Sequence, residues 1–411
     1  MLWDESHLWG VMLWRALNDL NVPFTIIDSG LIKEGILQKN PPAGLLVPGG
    51  WSRLKAGNLG HEGLKWIREY ISLGGRYLGI CGGAGLGLKS SAASPCLDLC
   101  SWSRKTITRR LPNFSGHIRC RVKLPTWKED CSDIYLPVWW PSQFEPDEEK
   151  DSGEIKVLAS YMEPGRDFWA ADLPLSDLNN PDLCRWEEIY GINLDPGLIS
   201  GEPCIVHGML GQGEYVLSYA HLETPGSAQA NSLLEEMLRA WMSGEPSGKR
   251  QSTVSDWDLQ KQDFVWKDKT LLRARQDLED IIELGRTHFL FYWRTPWLLG
   301  WRRGIPGSAI NFLYAMITQA LQLKPTPKAI IYWKKEKREF KRTAETFQER
   351  LKDYLTRERL ALAMAPSSPE SSSDCFLQKE KQELFGPFPG YGGLYARLIR
   401  PLDRLLFLLG P

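Results

Sequence analysis

Gly75-Arg76-Tyr77-Leu78-Gly79-Ile80-Cys81-Gly82-Gly83-Ala84-Gly85-Leu86-Gly87 is the stretch whose reading decides the fold. The apolar residues Tyr77, Leu78 and Ile80 read as a buried strand, and the small residues after Cys81 can open a helix. Cys81 then falls at the apex of a strand-to-helix turn, in the pattern Gly79-Ile80-Cys81-Gly82-Gly83. Glycines flank a nucleophile in such an elbow because side chains would collide across so tight a turn. A thiol at a helix N-terminus also feels the positive end of the helix dipole, which favours the thiolate. The plainer alternative is a glycine-rich turn around a buried cysteine.

Outward from the elbow, the first hundred residues alternate strand and helix signals, which predicts a parallel sheet with helices on its faces. Leu8, Val11, Met12, Ala16 and Leu20 recur at helical spacing, with Ser6 placed as an N-cap. Short strands are expected at 24–28 and 44–47, the second ending in Pro48-Gly49-Gly50. Leu64, Ile67 and Ile71 mark a helix that Gly74-Gly75 closes. Only Met1-Leu2-Trp3 precede the polar Asp4-Glu5-Ser6, so the first strand is either cut short or begins upstream. From Lys89 to about Gly201 the pattern loosens, with strand-like runs at 117–122 and 155–161; this predicts an elaboration of the sheet near the site. Strands at 204–209 and 214–220 join through Gly211-Gln212-Gly213 as a hairpin. His221-Leu222-Glu223-Thr224-Pro225-Gly226 follows, and a helix at about 227–242 finishes the unit.

Composition narrows the function classes. The chain has 411 residues, 43% of them hydrophobic, enough for a sizeable core and two domains or more. Fifty basic residues balance fifty acidic ones, so no nucleic-acid partner is expected. The eight cysteines are scattered without a CxxC pair, and Cys96 and Cys100 have weak ligand spacing, so no metal or other cofactor is expected. Reduced thiols, with no basic-then-apolar leader in Met1-Leu2-Trp3-Asp4-Glu5-Ser6-His7, place the chain in a cytoplasm. No run reaches about 18 uninterrupted apolar residues, so no transmembrane segment is expected.

A cysteine nucleophile needs a base to take its proton and a carboxylate to orient that base. His221 and Glu223 follow a strand end, at the sheet edge where Cys81 emerges, and the His-x-Glu spacing lets both point the same way. The oxyanion formed in acyl transfer needs donors: the N–H of Gly82 is one candidate, and the N–H of Gly50 the other. Glu5, just past the first strand, is a candidate to tune Cys81; its plainer role is that of a loop carboxylate. His117 and His207 read as packed or surface histidines.

Pro48-Gly49-Gly50 after a strand, Gly79-Ile80-Cys81-Gly82-Gly83 after the next helix and His221-x-Glu223 after the last strand, in that order, resemble the class I glutamine amidotransferase superfamily. Within it, residues 74–81 following 46–50 are most similar to the amidotransferase-like domain at the N-terminus of biotin-protein ligases. The resemblance covers residues 1–243 and implies a flavodoxin-like, doubly wound, mostly parallel α/β sheet with a triad of Cys81, His221 and Glu223. It implies thiolate attack on a small-molecule or peptide amide. Three departures qualify it. Gly85 stands where glutamine-hydrolysing members carry a glutamine, no adenylate signature of a biotin ligase occurs, and no acceptor domain or P-loop follows. A catalytically degenerate binding or scaffold protein, and a hydrolase or peptidase of the same superfamily, stay open as alternatives.

Residues 244–256 have linker composition. Beyond them, 257–411 are expected to form a mainly helical domain, with helices at 271–284, 310–323 and 338–362 and a disordered loop near 365–380. The aromatic and arginine-rich stretch 288–303 suits a peripheral membrane anchor, a docking face for a protein partner or a buried interdomain surface. Lys334-Lys335-Glu336-Lys337-Arg338 reads as a solvated helix face.

Overall fold

The computed structural model describes residues 1–91, 95–105, 113–123, 132–147, 155–178, 183–243, 252–364, 375–387 and 390–410. The chain divides into two units, Met1–Asp256 and Trp257–Pro411. Most of the expected linker, 244–251, lies outside the described residues.

In the first unit nine of the described strands form one sheet, and the two-residue strands Ser103–Arg104 and Phe144–Glu145 pair with each other apart from it. The nine are β1 (Leu45–Val47), β2 (Arg76–Ile80), β3 (Phe114–Val122), β4 (Ser132–Trp139), β5 (Lys156–Pro164), β6 (Trp169–Ala170), β7 (Leu173–Pro174), β8 (Pro203–Leu210) and β9 (Gly213–Ser218). The order runs β1-β2-β9-β8-β5-β3-β6-β7, with β4 also paired to β3. Only β1 with β2 and β2 with β9 pair in parallel. The Met1–Trp3 segment extends this parallel part: Leu2 donates to Leu46 O, Trp3 to Ile27 O and Ile27 to Met1 O, each at 2.9 Å. The other pairings are antiparallel, so the sheet is mixed and the expectation of a mostly parallel sheet is corrected. The reason lies in the loosely patterned middle of the chain. Only nine residues separate β3 from β4, fewer than the dozen or so that a parallel crossover needs, so this pair can only run antiparallel.

Four helices frame the site: α1 (His7–Asp19), α2 (Ser52–Ser72), α3 (Gly82–Gly87) and α4 (Ala228–Ser243). Val47, Leu59, Ile67, Ile71, Tyr77, Leu86 and Leu217 share one buried cluster between α2, α3 and the parallel strands. Each such side chain contributes about 1.5–3 kcal/mol by leaving water. Ser6 occupies the N-cap position of α1 but caps nothing with its side chain, which instead takes a hydrogen bond from the buried Lys55. The elbow is pressed onto β1: a Cβ at Gly83 would lie 1.9 Å from the Val47 carbonyl oxygen, and Tyr77 donates to Gly83 O at 2.7 Å.

The second unit is mainly helical, with α5 (Lys269–Thr287), α6 (Gly307–Gln322), α7 (Pro327–Met364), α8 (Cys375–Phe385) and α9 (Gly393–Leu409). The aromatic stretch forms a hairpin of β10 (Phe291–Thr295) and β11 (Leu298–Trp301), with Leu290, Phe291, Trp297, Leu298 and Leu299 buried. Of the segment expected to be disordered, 365–374 lie outside the described residues. Residues 375–380 are helical, a correction explained by burial of Leu377, Leu384 and Phe385 along α8. Among the described residues no helix is long and apolar enough to cross a membrane.

Because the Gly83 contact is backbone on backbone, Gly83→Ala is expected to cost about 3 kcal/mol, read as a lower denaturant midpoint at unchanged slope. A wild-type midpoint would mean that β1 and the elbow can part freely.

Candidate functional site

Cys81 links β2 to α3 at φ 51° and ψ −104°, a conformation that L residues rarely adopt. It is fixed from both sides. Its N–H donates to Ser218 O at the end of β9 (2.7 Å), and its carbonyl accepts from Gly85 N–H at 2.9 Å. The thiol belongs to a half-buried residue, whereas Cys100, Cys120 and Cys204 are buried.

The segment after β9 is shaped by its own hydrogen bonds. His221 donates its N–H to Pro137 O on β4 at 2.9 Å, and Thr224 folds back onto His221 O through both its N–H (3.2 Å) and its hydroxyl (2.9 Å). Asn231 of α4, wholly buried, donates to Leu222 O and Thr224 O at 2.9 and 3.0 Å. Held this way, His221 Nδ1 lies 2.8 Å from Glu223 Oε1, with both side chains fully buried.

Burial by itself disfavours the imidazolium. The Glu223 carboxylate and the adjoining Cys81 sulfur outweigh it and push the His221 pKa up to about 10. The ring Nε2 makes no hydrogen bond of good geometry with any described residue. Trp9 of α1 packs over the imidazole, with ring centroids 4.4 Å apart and planes at 37°. A cation beneath an aromatic face is stabilised by the ring quadrupole.

The Pro48-Gly49-Gly50 loop lies directly against the elbow. A Cβ at Gly82 would fall 2.0 Å from Gly50 O, and one at Gly50, where φ is 110°, would fall 2.0 Å from Glu5 O. The two residues expected to supply oxyanion donors are therefore neighbours. Glu5 itself is at φ 54°. Its carboxylate accepts from Asn58 at 3.3 Å and stands 3.3 Å from His7 Nε2. Lys55, buried in α2, donates to Asp4 O (2.6 Å) and Ser6 Oγ (2.5 Å) and so ties down the turn carrying Glu5. Gly85 faces Ser52, whose Oγ would lie 3.5 Å from an added Cβ. Elsewhere His207 pairs with Glu214 at 3.0 Å, a structural use.

Sequence reasoning missed Trp9, Lys55 and Asn231. Trp9 and Lys55 sit a few residues beyond quoted motifs, but nothing local distinguishes them from core and surface residues. Among the described residues no cluster of three His, Cys, Asp or Glu could hold a metal ion.

No family model and no curated protein matches the chain. Among solved structures it is similar to a protein from Thermoplasma acidophilum inferred to be one component of a GMP synthase, at 14% identity and a TM-score of 0.36, over 59% of this chain and 93% of that one.

The raised His221 pKa fixes a pH dependence. A folded-state value above the ordinary 6.5 means that the stabilisation is complete below pH 6.5 and is lost as the pH rises to about 10. The stability gap between the wild type and His221→Gln, measured by denaturant unfolding, is expected to narrow steadily across that window. A gap independent of pH would show that the folded ring is neutral.

Proposed function

We propose that the first unit is an amidotransferase-like domain with a flavodoxin-like core, in which Cys81 attacks an amide or related acyl carbon. The observation that carries this reading is the Cys81 turn, held at positive φ beside the buried His221–Glu223 pair. Strain of this kind is kept where the surrounding structure over-determines it, and it lifts the side chain clear of its own strand and helix.

In the proposed reaction the Cys81 sulfur adds to the carbonyl carbon while His221 holds the thiol's proton. Glu223 accepts from Nδ1–H, which leaves Nε2 facing the sulfur and stabilises the imidazolium. The N–H groups of Gly82 and Gly50 stabilise the oxyanion. When the carbon–nitrogen bond breaks, the departing amine takes the proton from Nε2. Water then adds to the thioester, giving its proton to the ring, and the acid leaves as the sulfur departs. Glu5 has an indirect part, since its carbonyl packs against Gly50.

Glutamine is not the expected substrate, because Gly85 offers no side chain where the resemblance calls for a carboxamide. Gly85 also favours a second reading, a protein that retains the fold for binding without turnover. On either reading the helical unit is the half proposed to meet a partner.

The two readings separate by thiol chemistry. Limiting iodoacetamide at neutral pH, followed by peptide mapping, is expected to alkylate Cys81 about tenfold faster than Cys96 or the exposed Cys184, and His221→Ala is expected to remove the advantage. If Cys81 reacts no faster than Cys184 in the wild type, the nucleophile reading fails and the scaffold reading stands.

A further inference from the structure

A second set of side chains outside the Cys81 site has the arrangement of an acyl-transfer centre. His117 lies on β3, Asp167 on the turn between β5 and β6, and Ser227 immediately before α4. His117 Nδ1 is 2.7 Å from Asp167 Oδ2, and His117 Nε2 is 2.8 Å from Ser227 Oγ. We propose that Ser227, His117 and Asp167 form a serine-dependent site that hydrolyses small carboxylic esters.

The orientation of the ring is built in. Asp167 Oδ1 accepts the His117 backbone N–H at 3.1 Å while Oδ2 accepts from Nδ1–H, so one carboxylate grips both the residue's backbone and its ring. That assigns the tautomer: Nε2 carries the lone pair and faces the serine hydroxyl. The turn bearing Asp167 is seated on the strand by close backbone contacts. Gly165 donates to His117 O at 2.7 Å, and a Cβ at Gly116 would lie 2.6 Å from Asp167 O. Burial raises the Asp167 pKa, but the hydrogen bonds from the His117 ring and backbone outweigh it and hold the carboxyl below its ordinary value.

Exposure sets the substrate class. The side chains of Asp167 and His117 are 53% and 30% exposed, so the ring edge is open to solvent, whereas Ser227 retains 5%. With so little of Ser227 exposed, the smallest acyl group is the one favoured, so the substrate class is taken as acetyl esters. Ser227 Oγ adds to the ester carbonyl carbon as its proton passes to Nε2. The bond to the alcohol oxygen breaks, and the alcohol leaves with that proton. Water then attacks acetyl-Ser227, giving a proton to Nε2 that returns to Oγ as acetic acid departs. The first-turn amides of Gln229 and Ala230 in α4, which point out of the helix N-terminus beside Ser227, are the proposed oxyanion donors. The site shares no side chain with the Cys81 centre and stands or falls separately.

The test uses the intact chain with Cys81 first blocked by iodoacetamide. With p-nitrophenyl acetate, acid quenching and peptide mapping are expected to find acetyl on Ser227. The p-nitrophenol release rate should fall about tenfold or more in His117→Gln and Asp167→Asn. A p-nitrophenyl ester of a branched acid should react far more slowly than the acetate. Ser227 acetylated no faster in the folded wild type than in urea overturns the proposal, and leaves the Ser227 bond as a tie between the 221–227 segment and β3.

Discussion

Backbone rests on backbone where Gly82 meets Gly50, and the geometry of the first unit depends on that contact. Without a Cβ on Gly82 the Pro48-Gly49-Gly50 loop can close on the elbow. Without one on Gly50 the turn carrying Glu5 can close on the loop. The same stack reaches Trp9, whose ring would meet a Cβ at Gly49 within 2.8 Å. Strand end, elbow, first helix and imidazole are thereby brought to one place by residues that contribute almost no surface of their own. The conformational freedom these glycines lose on folding is a real cost. It is offset by the apolar cluster of Val47, Tyr77, Leu86 and Leu217 beneath them.

Over this frame lies a pair of buried charges, an arrangement that desolvation normally penalises. The His221–Glu223 pair is sustained by several partners at once: a 2.8 Å hydrogen bond, the Trp9 face, the Cys81 sulfur and a segment fixed by Thr224 and Asn231. Removing one partner of such a pair leaves the other buried and uncompensated, so it constrains the fold as well as the chemistry. Glu223 Oε2, buried with no hydrogen bond to a described residue, marks the place where this network is least complete.

What was legible in the sequence was what chain neighbours determine. The turn at Cys81, the β8–β9 hairpin turning at Gly211-Gln212 and the helices α5, α6 and α7 of the second unit follow from local period and turn chemistry. The mixed character of the sheet was not legible, because β9 pairs with β2 across more than a hundred residues while β3, β4 and β5 fold on themselves, and spacing carries no record of either choice. Ser6 looked like a cap because its local context is that of one, yet Lys55, 49 residues away, claims its hydroxyl. His117 was read as a packed or surface residue for the same reason: Asp167 and Ser227, which define its surroundings, are 50 and 110 positions distant.

Pro137 sits opposite His117 in the β3–β4 ladder, and its carbonyl holds the His221 N–H. His117 in turn bonds Ser227, six residues along from His221, so the contacts close into a ring of ladder, carbonyl, segment and imidazole. Among the described strands β4 pairs only with β3, and this segment caps it, with Tyr135 N–H on Gln229 and Trp139 on Thr224. An exposed strand edge would be a site of aggregation. Here the covering that prevents it is the chain bearing His221, Glu223 and Ser227. The contacts that close this edge run through the His221 backbone and the Thr224 and Gln229 side chains, so the strand stays covered whatever ring or side chain stands at position 221.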